Sequence, residues 1–496
     1  MSKAINNKAI VIGAGIAGIA SAIRLKVKGY DVLLLEKNSY PGGKLSEFIK
    51  EGFRFDAGPS LFTMPQYVDE LFVLAGKNPR DYFNYDRLDI TAKYFYEDGT
   101  VINAYGEQEK FIEELHRQLD IPKFKIKKFL KYSERIYKIT NHVFIERSLH
   151  QLKTYLRWDT LRSILRLPQI DPFRSMHSAN KNFFTKEKAV QFFNRYATYN
   201  GSNPYKAPAT LNVIHHLEHA YGAWLPKYGM YHITQSLIRL AQDLGVDIIY
   251  NSDVKEIKHK NNKVIGLNAI IDDTEVFCKA DVIVSNMDIY HTYRKLLKNI
   301  QAPEYLLQQE KSSSALIFYW GMRKKFETLD VHNIFFSENY FQEFQHIEEG
   351  KIFNDPTVYI NITSKKIQRD APANSENWFV MINVPHNKEQ NWDILIENAR
   401  INIIQKLNRM LNTNIEEYIQ CEEILDPRSI ETKTSSHKGA LYGNSSNNRY
   451  AAFLRHSNKS KQLQGLYFCG GSVHPGGGIP LALMSAKIAS SFIPNN

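Results

Sequence analysis

The stretch that decides the fold is KAIVIGAGIAG at residues 8–18, which runs into a helical pattern that ends near residue 28. DVLLLE follows at residues 31–36. The two apolar runs predict buried strands, and the glycine-rich turn between them opens a helix. This order of strand, glycine turn, helix, strand and acid is typical of a dinucleotide-binding unit.

Each residue type in this turn has a physical reason. Gly13 permits the tight turn, Gly15 lets the backbone approach a pyrophosphate, and Gly18 lets the helix pack close to the strand. The free N–H groups at the helix N-terminus favour an anionic group. Glu36 stands where a carboxylate can accept hydrogen bonds from both ribose hydroxyls, and it would repel a 2′-phosphate.

Length and composition predict a globular protein of two or three intertwined domains. The chain has 496 residues, 43% of them apolar, and its three cysteines have no metal-binding or redox spacing, so we predict no metal site. It contains no run of 18 apolar residues and no apolar signal core before the first strand, which favours the cytoplasm. The net charge of +11 suits an anionic lipid surface, since no nucleic-acid motif accompanies it.

Further motifs carry a family resemblance. PGGK at residues 41–44 and FRFDAGPS at residues 53–60 follow the first unit. Together with the glycine turn and Glu36, they resemble the flavin amine oxidase and phytoene desaturase superfamily, in which the nucleotide is FAD. Lys44 stands where that superfamily more often has arginine, and both cations can neutralise phosphate.

A second glycine turn lies near the C-terminus, in GLYFCGGSVHPGGGIP at residues 465–480. A strand that runs into a glycine turn and a helix N-terminus favours an electron-rich group, here the pyrimidine edge of a flavin. The HPGGGIP run resembles the carotenoid desaturase branch and is absent from amine oxidases.

The resemblance implies an α/β (α+β) fold with a Rossmann-type FAD-binding domain. That domain would be discontinuous, at residues 1–95, 226–295 and 425–496. A mixed-sheet substrate domain (residues 296–424) and a helical lid and membrane-associating region (residues 96–225) would be interleaved with it. The resemblance also implies a set of FAD-binding residues: Gly13, Gly15, Ile16, Ala17, Gly18, Glu36, Lys37, Gly43, Lys44, Gly58, Pro59, Ser60, Leu61, Val254, Gly471, Ser472, Gly478, Ile479 and Pro480.

Two segments of the helical region allow more than one interpretation. Ser148 to Met176 alternates leucines with arginines around Trp158, which predicts a basic amphipathic helix at a membrane surface; the alternative is a solvated face. His215, His216 and His219 lie on a predicted helix over residues 209–221. Since no carboxylate motif accompanies them, we favour a structural or pocket-lining role over metal binding.

The implied function is that of an FAD-dependent carotenoid desaturase, an oxidoreductase that removes two hydrogens from adjacent carbons of a membrane-dissolved carotenoid in carotenoid biosynthesis. Within the branch we favour 3,4-desaturation of a 1-hydroxycarotenoid. The alternatives are a phytoene or diapophytoene desaturase, a terminal carotenoid oxidase, and a flavin amine oxidase. His474 is a candidate for proton handling, with packing as the alternative. The protein would associate peripherally with the cytoplasmic membrane, and its oligomeric state stays open.

Overall fold

A computed structural model describes residues 7–141, 145–448, 450–451 and 453–496, and all but the side chain of Leu152 within them. Its strands are β1 (Lys8–Ile12), β2 (Asp31–Leu35), β3 (Glu47–Lys50), β4 (Phe53–Asp56), β5 (Tyr85–Arg87), β6 (Ile90–Phe95), β7 (Val101–Tyr105), β8 (Trp224–Pro226), β9 (Asp247–Ile249), β10 (Asp253–Lys260), β11 (Lys263–Ile271), β12 (Thr274–Lys279), β13 (Val282–Ser285), β14 (Ser314–Met322), β15 (His332–Phe335), β16 (Val358–Asn361), β17 (Glu376–Val384), β18 (Ile419–Leu425) and β19 (Leu466–Phe468).

The α-helices are α1 (Ile16–Val27), α2 (Gln66–Leu74), α3 (Gln108–Leu119), α4 (Lys123–Thr140), α5 (Leu152–Tyr155), α6 (Trp158–Leu165), α7 (Met176–Phe183), α8 (Glu187–Asn194), α9 (Val213–Tyr221), α10 (Tyr231–Asp243), α11 (Ile289–His291), α12 (Glu304–Leu307), α13 (Tyr340–Glu348), α14 (Trp392–Leu411), α15 (Pro427–Thr434) and α16 (Ile479–Ser491). In the part of the chain that the structure describes, no helix has the length and apolar character needed to cross a bilayer.

The two glycine motifs meet on one parallel sheet. Its strand order is β19-β13-β1-β2-β9, and every neighbouring pair is parallel. Ile12 at the end of β1 lies beside Leu35 and Ser285, the last residues of β2 and β13. The carboxyl ends of these strands therefore share one edge, where ligands of such sheets bind. The predicted α/β class with a Rossmann-type unit is confirmed.

The helices that follow the two motifs also pack on each other. Helices α1 and α16 are in contact, and their facing side chains are buried in one apolar cluster that includes Ile19, Ile23 and Ala486. The small residues of both helices allow this close approach. Chain segments separated by more than 450 residues thus pack side by side in one apolar cluster.

The second large sheet is mixed and has the order β18-β14-β17-β16-β15-β6-β7. Only the β15–β6 pair is parallel in this sheet as described. All nine residues of β14 are buried, so both faces of the sheet are covered. Strand β6 belongs here rather than to the parallel sheet, so the predicted domain boundary at residue 95 falls within the β6–β7 hairpin. The other domain boundaries stay predictions.

The prediction of a single amphipathic helix over Ser148–Met176 is wrong. The segment forms the short α5, the two-turn α6 and a 3₁₀ turn at Leu167–Ile170. Arg157 has extended backbone angles (φ −80°, ψ 138°), which separates α5 from α6. Pro168 has no N–H to continue α6, and Asp171 adopts a left-handed conformation (φ 55°). The predicted helix over residues 209–221 also begins as a 3₁₀ turn before α9.

Candidate functional site

The first glycine turn joins β1 to α1. Gly13 donates its N–H to the Leu35 carbonyl (2.7 Å) and has a φ of 91°, which favours glycine. A Cβ at Gly18 would lie 1.9 Å from the Gly13 carbonyl oxygen, so only glycine allows the helix this close to the strand. The first N–H groups of α1, from Ile16 onwards, have no partner within the helix. They are available to an anion.

Glu36 connects the turn to the end of β2. Its two carboxylate oxygens accept the N–H groups of Ala14 (2.6 Å) and Asn38 (2.9 Å), and burial raises the pKa of the carboxyl. Each oxygen retains a second lone pair, which suits a ribose hydroxyl. Lys37 is exposed, and Val254 on β10 packs against the apolar cluster that contains Ile12.

The GGK segment lies directly on the first turn. Gly42 donates its N–H to the Ala14 carbonyl (2.7 Å), and a Cβ at Gly43 would lie 3.7 Å from Gly15 Cα. Lys44 Nζ donates to the carbonyl oxygens of Ala440 (3.2 Å) and Leu441 (2.9 Å). Burial lowers the pKa of Lys44 to about 8. No carboxylate among the described residues forms an ion pair with it, so this buried cation suits an anionic ligand.

The GPS segment continues from the same place. A Cβ at Gly58 would lie 1.7 Å from the Lys44 carbonyl oxygen, which only glycine permits. After Pro59, the Ser60 hydroxyl is hydrogen-bonded to the Tyr359 hydroxyl (2.8 Å) on β16. Leu61 packs against a small apolar cluster that includes Leu225 and Ile367. This segment therefore connects the nucleotide-binding region to the large mixed sheet.

The second glycine turn follows β19. The Ser472 hydroxyl accepts the Ile289 N–H (3.0 Å), and a Cβ at Gly477 would lie 2.7 Å from Tyr442 Cα. After Gly471 and Gly476, Gly478 (φ 104°) precedes α16, whose first residues are Ile479 and Pro480. The start of this helix again presents unpaired N–H groups.

His474 is enclosed within this turn. It is 1% exposed, and its Nε2 is hydrogen-bonded to the Arg147 carbonyl (2.7 Å). Burial lowers the pKa of His474 to about 4, so the ring is neutral near pH 7. His150 packs edge-on against it. These contacts position the turn, and a role in proton handling stays a prediction.

Asn286 is the residue that links the two turns, and the motifs did not indicate it as a ligand-binding residue. A Cβ at Gly15 would lie 2.5 Å from its Oδ1, and one at Gly470 would lie 2.6 Å from its Nδ2. Its Nδ2 also donates to the Cys469 carbonyl (3.2 Å). The turns from opposite ends of the chain are therefore adjacent at the sheet edge. The glycine turns leave space that a side chain would fill, Glu36 supplies a buried acid, and Lys44 supplies a cation. These three features fit a dinucleotide such as FAD.

A deep polar cluster lies next to this site, and its members come from distant segments with no local motif. It contains Tyr94, Arg195, Tyr196, Tyr199, Glu218, His332, Tyr359 and Tyr442. His332 Nδ1 is hydrogen-bonded to the Tyr359 hydroxyl (2.7 Å), and burial lowers the pKa of His332 to about 3. His215 and His219, predicted to be structural or pocket-lining, are buried beside this cluster; their ring centres lie 4.3 Å apart with the ring planes tilted by 35°.

Among the described residues outside these motifs, three neighbouring side chains are of types that bind metal ions. Potential ligand atoms of His291, Glu431 and His437 lie within 4.8 Å of one another. Glu431 Oε1 already accepts the Lys438 N–H (3.0 Å), and the positive charges of Lys311 and Lys438 help lower the pKa of His437. Neighbouring cations oppose a bound metal ion. The three residues are dispersed in the sequence, so spacing could not have indicated them.

Comparison with known proteins agrees with this geometry. The chain is 49% identical over 489 residues, 98% of this chain and 99% of the relative, to a 1-hydroxycarotenoid 3,4-desaturase of Flavobacterium sp. (strain P99-3). It is 33% identical to a 4,4′-diapolycopene oxygenase of Methylomonas sp., with 98% of each chain covered.

Solved structures show the same fold at low sequence identity. Putrescine oxidase bound to putrescine has a TM-score of 0.62 at 14% identity, with 99% of each chain covered. An oxidoreductase from Methanosarcina mazei has a TM-score of 0.63 at 14% identity, with 97% of this chain and 99% of that chain covered. A model of one family, described as flavin containing amine oxidoreductase, matches residues 16–493 and confirms the predicted FAD. The two glycine turns are adjacent at one sheet edge, as a flavin nucleotide requires, and the chain belongs to this family.

Proposed function

We propose that the protein is an FAD-dependent carotenoid desaturase that introduces the 3,4 double bond into a 1-hydroxycarotenoid. The observation that carries this proposal is 49% identity, over 98% of the chain, to a relative of that name. The glycine turns that hold a dinucleotide, and the buried polar cluster beside them, supply a site compatible with it.

The protein's residues bind and orient the cofactor. The N–H groups at the start of α1 would hold the pyrophosphate, Glu36 the ribose hydroxyls, and the C-terminal turn the flavin ring. We assign the remaining predicted FAD-binding residues to the same site. When bound, FAD would accept a hydride from one allylic carbon while a proton leaves the neighbouring carbon. The chain would align those carbons and exclude water.

The buried cations argue against an amine substrate. Lys44 lies against the first turn, and Arg195 lies in the polar cluster beside the second. A substrate ammonium would be repelled by both, whereas amine recognition favours aromatic cages with a negative potential. An amine oxidase is therefore the second candidate, supported only by the fold.

Anaerobic flavin bleaching tests the proposal. The purified holoenzyme is mixed with a 1-hydroxycarotenoid, with the same carotenoid lacking the hydroxyl, or with putrescine, and flavin absorbance is followed. We expect the hydroxylated carotenoid to bleach the flavin and to yield a product two hydrogens lighter. Bleaching by putrescine alone would refute a desaturase, and equal rates with both carotenoids would refute the hydroxylated substrate.

We also propose that the protein associates peripherally with an anionic leaflet, through an apolar surface that we call the docking face. Its residues and their exposed fractions are Leu156 (79%), Trp158 (76%), Leu165 (82%) and Phe173 (76%). Exposed large apolar side chains at this density are typical of interfacial helices, and a carotenoid dissolved in the bilayer requires such access.

A basic groove adjoins the docking face. Lys127, Lys128, Lys131 and Arg135 on α4 line a cavity of about 490 Å³ together with Phe124, Tyr132 and Phe183. The Tyr132 hydroxyl donates to Asp171 (3.0 Å), which follows the 3₁₀ turn at Leu167–Ile170 and lies two residues before Phe173 of the docking face. Cations beside exposed apolar side chains suit acidic lipid headgroups.

Vesicle co-sedimentation tests this association. The double variant Trp158→Glu/Leu165→Glu should bind phosphatidylglycerol-containing vesicles at least about tenfold more weakly, because two apolar contacts are replaced by repelled charges. Val73→Glu, at an exposed apolar position on α2 (65% exposed), is the matched control and should bind as the wild type does. Unchanged binding of the double variant would refute the docking face.

A further inference from the structure

The guanidinium of Arg195 is held among phenol rings deep in the polar cluster. Nη1 donates to the hydroxyls of Tyr199 (3.1 Å) and Tyr94 (3.4 Å). The guanidinium carbon lies 5.0 Å from the ring centre of Tyr199, 5.6 Å from that of Tyr94 and 6.0 Å from that of Tyr359. These contacts fix the plane of the cation, since the rings enclose it on several sides.

The other nitrogens of Arg195 are free to bind a ligand. No described residue accepts a hydrogen bond from Nε or Nη2, and no described carboxylate forms an ion pair with the guanidinium. The one nearby acid, Glu218, instead accepts the hydroxyls of Tyr196 (3.0 Å) and Tyr199. Arg195 itself is partly exposed, whereas Tyr94 (0% exposed) and Tyr359 (8%) beside it are buried. These donors are therefore available to a ligand.

Two aromatic residues of the polar cluster contact the segments assigned to the flavin. Tyr359 is hydrogen-bonded to Ser60 (2.8 Å), and the charge of Arg195 reaches Tyr442 closely enough to lower the pKa of its phenol against the effect of burial. Tyr442 in turn lies against Gly477 of the C-terminal turn. Arg195 is thus separated from the Ser60 segment by one aromatic residue, Tyr359.

This position matches the chemistry of the proposed substrate. In a 1-hydroxycarotenoid, four bonds separate the hydroxyl oxygen from C4, about 5 Å for single bonds near 1.5 Å. A group that recognises the hydroxyl must therefore lie within a few ångströms of the reacting carbons, at the flavin end of the substrate site. A guanidinium with two unused donors can bind the hydroxyl oxygen, while an unhydroxylated chain would leave those donors unpaired.

We propose that Arg195 binds the C1 hydroxyl oxygen of the substrate and thereby selects hydroxylated over unhydroxylated carotenoids. This inference rests on the proposed function. Tyr199 acts as a positioning residue, because it accepts a hydrogen bond from the guanidinium and donates one to Glu218. The same free donors would reject an unhydroxylated chain, since its binding desolvates them without replacing their hydrogen bonds.

The test compares kcat/KM for the two carotenoids in wild-type and Arg195→Met holoenzyme. Methionine keeps an unbranched apolar side chain and removes the donors. We expect kcat/KM for the hydroxylated carotenoid to fall about 10- to 100-fold, the loss of one hydrogen bond to a charged group. The value for the unhydroxylated carotenoid should stay at the wild-type level or rise, because methionine leaves no donor unpaired. The affinity of Arg195→Met for the desaturated, hydroxylated product should fall by a similar factor. Quenching of tryptophan fluorescence measures this affinity without turnover.

Two further variants make the result decisive. Arg174→Met removes an exposed arginine that pairs with Asp171 in the same helical region and should leave the preference unchanged. Arg195→Lys keeps the buried charge if methionine impairs folding; it should retain flavin and lose at least about threefold of the preference, since lysine lacks the planar fork.

An equal loss for both carotenoids in Arg195→Met, or an unchanged preference in a folded Arg195 variant, would overturn this inference. A wild-type enzyme that bleaches with neither carotenoid, or shows no preference between them, would instead refute the proposed function. The wild-type measurement therefore separates the two failures.

Discussion

Gly15→Val tests whether the first glycine turn holds the nucleotide. Gly15 has extended backbone angles (φ −67°, ψ 167°), so a side chain causes no backbone strain there. Its Cβ would lie 2.5 Å from Asn286 Oδ1, well inside the 3.4 Å at which ordinary van der Waals contact begins. Asn286 must move, and the two valine methyl groups would enter the space above the N-terminus of α1.

The magnitude follows from the interactions that would be lost. Moving Asn286 breaks its hydrogen bond to the Cys469 carbonyl (3.2 Å), worth about 1 kcal/mol. Displacing a pyrophosphate from one or two N–H groups costs about 1.5–3 kcal/mol for each charge-assisted bond. The Asn286 bond is lost from free and bound protein alike, so the N–H groups set the affinity: a loss of about 1.5–6 kcal/mol predicts FAD binding weaker by about 10- to 10⁴-fold.

The assay is titration of flavin-free protein with FAD, followed by flavin fluorescence. Gly76→Ala is the control, since Gly76 also lies at a helix end, has a positive φ of 70° and has no atom within 4 Å of the position that a Cβ would take. It should lose some stability and no FAD affinity. A folded Gly15→Val protein whose FAD affinity stays within about threefold of the wild type would refute the placement of the nucleotide.

Three other changes have defined outcomes. Lys44→Met should weaken FAD binding about 10- to 100-fold. The affinity of the wild-type protein for FAD should decline above pH 8, where Lys44 loses its proton. An FAD affinity that stays constant up to pH 9.5 would contradict this role. Burial lowers the pKa of His332 to about 3 and that of His474 to about 4. Below pH 6.5 the unfolded chain therefore binds protons that the folded protein does not, and each histidine should lower the free energy of unfolding by up to about 1.4 kcal/mol per pH unit down to about pH 4. A Tm unchanged between pH 7 and 5 would contradict that. His215→Leu should raise the free energy of unfolding by about 1 kcal/mol, because both buried ring nitrogens lack partners, and a lower Tm would count against it.

Local patterns predict many of the elements of this fold. Helical periodicity over residues 392–411 predicts a helix with the bounds of α14, and apolar runs at residues 314–320, 357–361 and 378–384 predict β14, β16 and β17, which are present with small shifts at their ends. These predictions succeeded because apolar periodicity and glycine turns act over a few residues. The long basic helix failed because residues 156–157 and Pro168 interrupt it, although the exposed apolar surface that it predicted is present.

The amino-acid order alone was sufficient to indicate two glycine turns, an acid at a strand end and hence a flavin nucleotide, since each signal lies within a contiguous stretch. Only the folded chain shows that Asn286 touches both turns and that Arg195 lies beside Tyr359, which is hydrogen-bonded to Ser60. Those contacts join segments up to several hundred residues apart, and no local pattern encodes them. The cofactor could be predicted because its sequence signals are local, whereas the proposed substrate selection depends on long-range packing.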